Sequence, residues 1–181
     1  YNAYGTALTD LQTAVTDFNS SPDLTKLTTL QDSFLVAYEK WQSCEMYEKT
    51  EPANDEMALE NTNFYPTRKD SIEAYISRNQ NTTTFIKSKI KTDKGLPAIE
   101  YLLFSRTLTS QQILDRFTTN TNADSYKIYL TSLVSNVLEV QSDIVNKWNA
   151  TYKEIFINNI GTDAASSFSA MANTIAQRTD D

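Results

Sequence analysis

Histidine is absent from this chain of 181 residues. No imidazole can therefore ligate a metal, serve as a general base near neutral pH or act as a charge switch in that range. A single cysteine, Cys44, excludes an internal disulfide and a thiolate zinc cluster. Nothing basic sits beside it in sequence, so it reads as a small buried side chain rather than a reactive thiol. Glycine (3) and proline (4) are scarce. Sheet-rich folds use both freely at turns, so their scarcity favours long helices and few connections. No apolar run approaches the roughly twenty residues that span a bilayer. Positive charge is also in deficit, with 16 Lys and Arg against 23 Asp and Glu and a net charge of −7. The densest basic group is Lys87, Lys89, Lys91 and Lys94, with no aromatic stacking pattern after it. A nucleic-acid surface needs clustered cations to displace counterions, so that function class is set aside. The chain opens at Tyr1 without a signal-peptide pattern, which suggests a processed or trimmed start.

What is present is helical periodicity. Ala3, Ala7, Leu8, Leu11, Ala14, Val15 and Phe18 share one face over 2–19. Ser20-Ser21-Pro22-Asp23 then breaks the chain, with Ser21 as expected N-cap and Pro22 in the first turn of the next helix. Leu27, Leu30, Phe34, Ala37 and Trp41 carry that helix to about Tyr47, and the short link predicts an antiparallel pair. The acidic stretch 48–63 reads as a solvated, partly irregular connection without the spacing of a calcium loop. Short helices are expected over 68–78 and 83–91, and another from Thr109 to Phe117. The longest stripe runs from Ala123 to about Ala150 through Tyr126, Leu130, Leu133, Val137, Ile144 and Trp148. A last helix over 163–177 should be capped by Asp163, with Phe168, Met171, Ala172 and Ile175 inward. Nothing alternates as a strand, so the fold class is all-α, an antiparallel helical bundle forming one domain over 1–181. The Asn-x-Ser/Thr triplets at Asn19, Asn81 and Asn149 are read as chance in an Asn- and Thr-rich chain.

One junction stands apart. Gly95 permits unusual backbone angles, Pro97 suits a helix's first turn, and Ala98, Ile99, Tyr101, Leu102, Leu103 and Phe104 form a very apolar helix around one acid, Glu100. That acid is either a buried carboxylate satisfied by helix-end amides, a Tyr or an Arg, or a member of a polar site. Glu45, one turn beyond Trp41, is either a surface Glu at a helix end or, if it lies near this acid, its companion, where two close carboxylates would recruit a cation or raise one another's pKa. Trp41 and Trp148 lie on apolar stripes and read as packing.

The stretch Gly95-Leu96-Pro97-Ala98-Ile99-Glu100-Tyr101-Leu102-Leu103-Phe104 resembles the signature of the imelysin-like family, Gly-x-His-x-x-Glu followed by Tyr-Leu-Leu-Phe. Trp41-Gln42-Ser43-Cys44-Glu45-Met46-Tyr47 is similar to the family's Trp-x-x-x-Glu-x-Tyr, and Phe64-Tyr65-Pro66 to its aromatic-Pro step. The long helix closing on Trp148 also fits. The resemblance places Glu45 near Glu100, as its companion. The resemblance implies an all-α domain of two helical halves, of which this chain would be the first half or a shortened form. It implies a bacterial envelope protein, in the periplasm or at the outer membrane, often a lipoprotein anchored ahead of the domain. An association with iron uptake and a peptidase-like ancestry with the motif His and Glu as metal ligands come with it. Here Pro97 replaces that His, and proline offers no ligand atom. A cation held by carboxylates, iron or calcium, is the only cofactor left open. The expected ligand-binding residues are Glu45, Glu100, Trp41, Tyr47, Gly95 and Pro97. The functional expectation is a non-catalytic envelope binding protein, accessory to iron or nutrient uptake, taking a metal or small ligand or an envelope protein partner. An imelysin-type metallopeptidase and a purely structural interaction module are the alternatives.

Overall fold

The computed structural model describes residues 1–163 and 166–179. Helices α1 (Asn2–Ser20) and α2 (Leu24–Cys44) open the chain. Tyr4 meets Trp41 with ring centroids 5.6 Å apart, and Lys26 pairs with Asp17 at 3.0 Å, so the two run antiparallel as predicted. The N-cap of α2 is Asp23, which accepts from the Lys26 amide at 2.8 Å. Ser21, the expected cap, stays in the link and accepts instead from Lys26 Nζ. A carboxylate two residues nearer the helix satisfies the free amide and favours the positive end of the helix dipole, so it displaces the hydroxyl.

After a single 3-10 turn, Glu45–Tyr47, come the short helices α3 (Glu51–Asp55) and α4 (Ala58–Thr62). The acidic stretch is thus no open connection. Pro52, Ala53, Ala58 and Thr62 are buried, while Asn54, Met57 and most of the charges face outward, where Asp55 and Glu56 hold Lys147. Helices α5 (Lys69–Ser77) and α6 (Thr83–Lys87) follow. Then come α7 (Gly95–Leu103), α8 (Ser110–Thr118) and the long α9 (Ala123–Lys147). In α8, Thr109 and Gln112 form a reciprocal capping box, each side chain bonding the other's amide. Among the described residues there is no strand.

Helix α9 is the spine. It lies antiparallel to α1, with Asn19 on Thr131 and Gln141 Nε2 on the Tyr1 carbonyl. Helices α6, α7 and α8 pack along it, and α7 also touches α2, where Gln31 donates to the Leu103 carbonyl at 2.6 Å. Wedged in this way, α7 buries Gly95 through Ile99 together with Leu102 and Leu103, which explains its nearly unbroken apolar run. Cys44 is buried, and burial raises its thiol pKa, in keeping with an inert side chain. Asn81 is buried and donates to Ser125, so its triplet cannot carry a glycan.

Past Lys147 the helix widens into a π turn, Trp148–Tyr152, before α10 (Lys153–Asn158) and α11 (Ser167–Thr179). Trp148 is half-buried and packs edge-on against Tyr47, Tyr152 and Phe156. The last helix starts later than its periodicity predicts. Ser166, not Asp163, supplies the cap by accepting from the Ser169 amide at 3.1 Å. Phe168, expected inward, is 64% exposed, since the later start turns that position away from the bundle; Met171 and Ala172 are half-buried, and the Ile175 side chain lies outside the described residues.

A candidate ligand cleft at the start of helix α7

The start of α7 is fixed by backbone geometry. Gly95 has φ +78°, and a Cβ there would lie 2.5 Å from the Thr62 carbonyl oxygen of α4. Only glycine allows that approach and that angle together. Pro97 sits in the first turn, where its missing amide would have had no helical partner. Glu100 follows Pro97 by three positions and so shares its face of the helix.

Glu100 neither points into bulk water nor is sealed by packing. Its Oε2 accepts a hydrogen bond from the Tyr65 hydroxyl at 2.7 Å. Burial, the Glu100 hydrogen bond and charge, and neighbouring Tyr38 push the Tyr65 phenol far above its usual pKa, so it remains a donor. Beside this pair opens a cavity of about 500 Å³. Its apolar wall is Pro66, Pro97, Tyr101 and Phe104, and its polar groups include Lys69, Arg106 and Arg116.

Beneath the cavity the aromatic hydroxyls are held by a second acid. Glu73 of α5 accepts from Tyr101 at 2.6 Å and also from Tyr126. Arg116 of α8 donates from Nη1 to the carbonyls of Tyr101 at 3.0 Å and Leu102 at 3.4 Å, with its guanidinium over the Tyr101 ring. These bonds satisfy the carbonyl end of α7 and hold the guanidinium in place. A third acid, Asp93, is fully buried just ahead of α7 and is gripped by both Nε and Nη2 of Arg68, at 2.8 and 2.7 Å. The chain therefore enters and leaves the α7 segment through charge-assisted bonds.

The six residues expected from sequence separate into three places. Pro97 and Glu100 line the cavity, and Gly95 lies buried behind it. Glu45 Oε1 accepts from Trp41 Nε1 at 2.7 Å and from Asn63 Nδ2 at 3.0 Å, and neither Glu45 nor Trp41 lines the cavity. Tyr47 lines a different cavity, of about 460 Å³, with Trp148 and Phe156. The two acids are nonetheless related. Glu45 holds Asn63 and Glu100 holds Tyr65, so both carboxylates clamp the same short segment after α4. In sequence Tyr65-Pro66 stood out only as part of the aromatic-Pro step, with no site role, and Arg116, Lys69 and Arg106 went unnoticed, since nothing but tertiary placement brings them together.

Among the described residues no group of three or more Asp, Glu or Cys gathers as a metal site. Pro97 offers no ligand atom, Glu45 does not share the cavity of Glu100, and each of the two carboxylates is bonded to a neutral donor, so the residues present do not fit a resident metal.

The sequence model of the Imelysin family, a peptidase family, matches residues 1–180. The chain belongs to the imelysin family. No curated protein and no solved structure matches it. In this imelysin-family chain Gly95 and Glu100 both lie on α7, and Pro97 between them lines the cavity. No helix is long and apolar enough to cross a membrane among the described residues.

Proposed function

We propose that this imelysin-family protein is a non-catalytic binding protein of the bacterial cell envelope, accessory to iron or nutrient uptake, with the cleft beside Glu100 as its ligand site. The observation that carries this reading is Pro97 in the wall of an open cavity whose single carboxylate is engaged by Tyr65. Metal-assisted peptide hydrolysis needs a bound, polarised water and usually a free base. Here the position that would hold the metal offers no ligand atom and the acid is already bonded. An enclosed space with apolar walls and a few polar groups suits ligand capture. The envelope setting and the uptake role rest on family membership.

The test has two parts. A reduced, carboxymethylated polypeptide is incubated with the protein in the presence of Zn²⁺, Mn²⁺ or EDTA. No cleavage above that of Glu100→Gln is expected, and chelator-sensitive cleavage lost in Glu100→Gln would restore the metallopeptidase reading. Saturation-transfer NMR against a mixture of small metabolites and siderophore fragments should give ligands that are lost in Thr107→Trp, which narrows the cleft. Ligands that all persist in that variant would remove the cleft as the site.

A further inference from the structure

We infer that the cleft beside Glu100 selects a small organic anion, a carboxylate on a flat apolar body; this rests on the reading of the cleft as a ligand site. The whole chain carries a charge of −7, so its general field repels anions. The cavity reverses that sign locally. Lys69, Arg106 and Arg116 line it against one acid, Glu100, and none of the three pairs with a carboxylate among the described residues. Glu100 has its Oε2 occupied by the Tyr65 hydroxyl, which turns a donor toward the one negative group.

The cations are arranged about a ring. Lys69 Nζ lies 5.6 Å from the centroid of Tyr101, and the Arg116 Cζ lies 5.2 Å from the same centroid. Arg116 is held by carbonyls through Nη1 alone, so its remaining N–H groups are fixed in direction and available to an incoming carboxylate. Glu73 does not line the cavity, and its oxygens are taken by the hydroxyls of Tyr101 and Tyr126. Pro66, Pro97 and Phe104 offer apolar contact, and the hydroxyls of Thr67, Ser105 and Thr107 add neutral polar groups to the lining. One fixed guanidinium, with two exposed cations lining the same apolar slot, recognises a negative head on a flat body.

Benzoate, benzamide and benzamidine share one body and differ in charge, so they separate the terms. Each is titrated into uniformly ¹⁵N-labelled protein at low salt, following the amides of residues 97–107. Benzoate should bind at least about five-fold more tightly than benzamide, the size of one or two partly exposed ion pairs, with benzamidine weakest. The preference should shrink as salt is raised. Lys69→Gln with Arg106→Gln, two side chains that form no ion pair among the described residues, should weaken benzoate about three-fold or more and shrink its advantage over benzamide. Equal binding of benzoate and benzamide at these amides, or tighter binding of benzamidine, overturns the anion preference and leaves the cleft as a binding site. Failure of all three to move these amides overturns both.

Discussion

At the residue scale the region around α7 is organised by three acids with different partners: Glu100 with a phenol, Glu73 with two phenols and Asp93 with a guanidinium. Only Asp93 is fully buried, and it has the fullest set of bonds, adding Tyr75 at 3.0 Å and Thr92 at 3.1 Å to the grip of Arg68. Burial alone would raise its pKa, but these bonds and the Arg68 charge outweigh it and hold the carboxyl below its ordinary value of 3.8. A folded-state pKa below the unfolded one means the stabilisation is present above that ordinary value and is lost as pH falls through the lower one. Asp93→Ala should therefore cost about 2 kcal/mol near neutral pH, because it removes a buried, multiply bonded carboxylate and leaves the half-buried Tyr75 and Thr92 donors unmatched. Asp93→Asn should flatten the acid limb of the stability curve between about pH 5 and pH 2. Urea unfolding across that range checks both, and a cost under about 1 kcal/mol for Asp93→Ala would show that the pair contributes little. In sequence this acid was invisible, since Lys91-Thr92-Asp93-Lys94 looks like any charged connection and Arg68 lies 25 positions away. Glu100 was legible because it is the one acid in an apolar helix. Its hydroxyl partner was among the options the residue types allowed, but which hydroxyl was not, since nothing local ties position 65 to position 100.

At the scale of the element, α7 was readable because its signals agree: a glycine, a first-turn proline and a run too apolar to face water. Burial against α2 and α9 accounts for the apolar run, the close approach of α4 for the glycine, and the unpartnered first-turn amide for the proline. Gly95→Ala tests how rigidly that element is placed. The new Cβ would meet the Thr62 carbonyl at 2.5 Å, and the residue would keep a φ of +78°. Backbone cannot yield as a flexible side chain can, so the cost should be about 3 kcal/mol or more. Thermal and urea unfolding would reveal it, and a loss below about 1 kcal/mol would mean that α4 and α7 can part without penalty. The stretch 48–63 shows the opposite case. Helices of one turn carry too few apolar positions for periodicity to register, and the outward acids hid Pro52, Ala53, Ala58 and Thr62. The start of α11 was misjudged for a related reason. Asp163 and Ser166 are both good caps, and nothing local in the sequence ranks the serine first.

Across the whole molecule the tyrosines, ten in number, do more than fill the core that composition assigned to them. Tyr4, Tyr65, Tyr101, Tyr126 and Tyr129 all have phenol pKa values raised above the ordinary 10, with burial as the first cause. Acids add to it: Glu100 at Tyr65, Glu73 at Tyr101 and Tyr126, and Asp93 at Tyr129. In the unfolded chain these phenols ionise near pH 10, while in the fold they keep their protons. Their contribution to stability is thus complete below about pH 10 and declines as pH rises above it. Buried Lys94 works against this. Its pKa is lowered by burial, so in the interval below its ordinary value of 10.5 the unfolded chain holds a proton that the fold has released, and stability rises there. One amine against several phenols leaves a net fall, and alkali should unfold the protein cooperatively. Absorbance at 295 nm and far-ultraviolet circular dichroism, followed together from neutral pH upward, would show a minority of phenols titrating reversibly with the helices intact, and the rest ionising only as helix is lost. If all ten phenols ionised near pH 10 with full helicity retained, the hydroxyls of Tyr65, Tyr101 and Tyr126 could not be the fixed donors that the cleft and its floor require. The alkaline titration therefore bears on the candidate site as well as on the fold, because the same phenol–carboxylate bonds serve both.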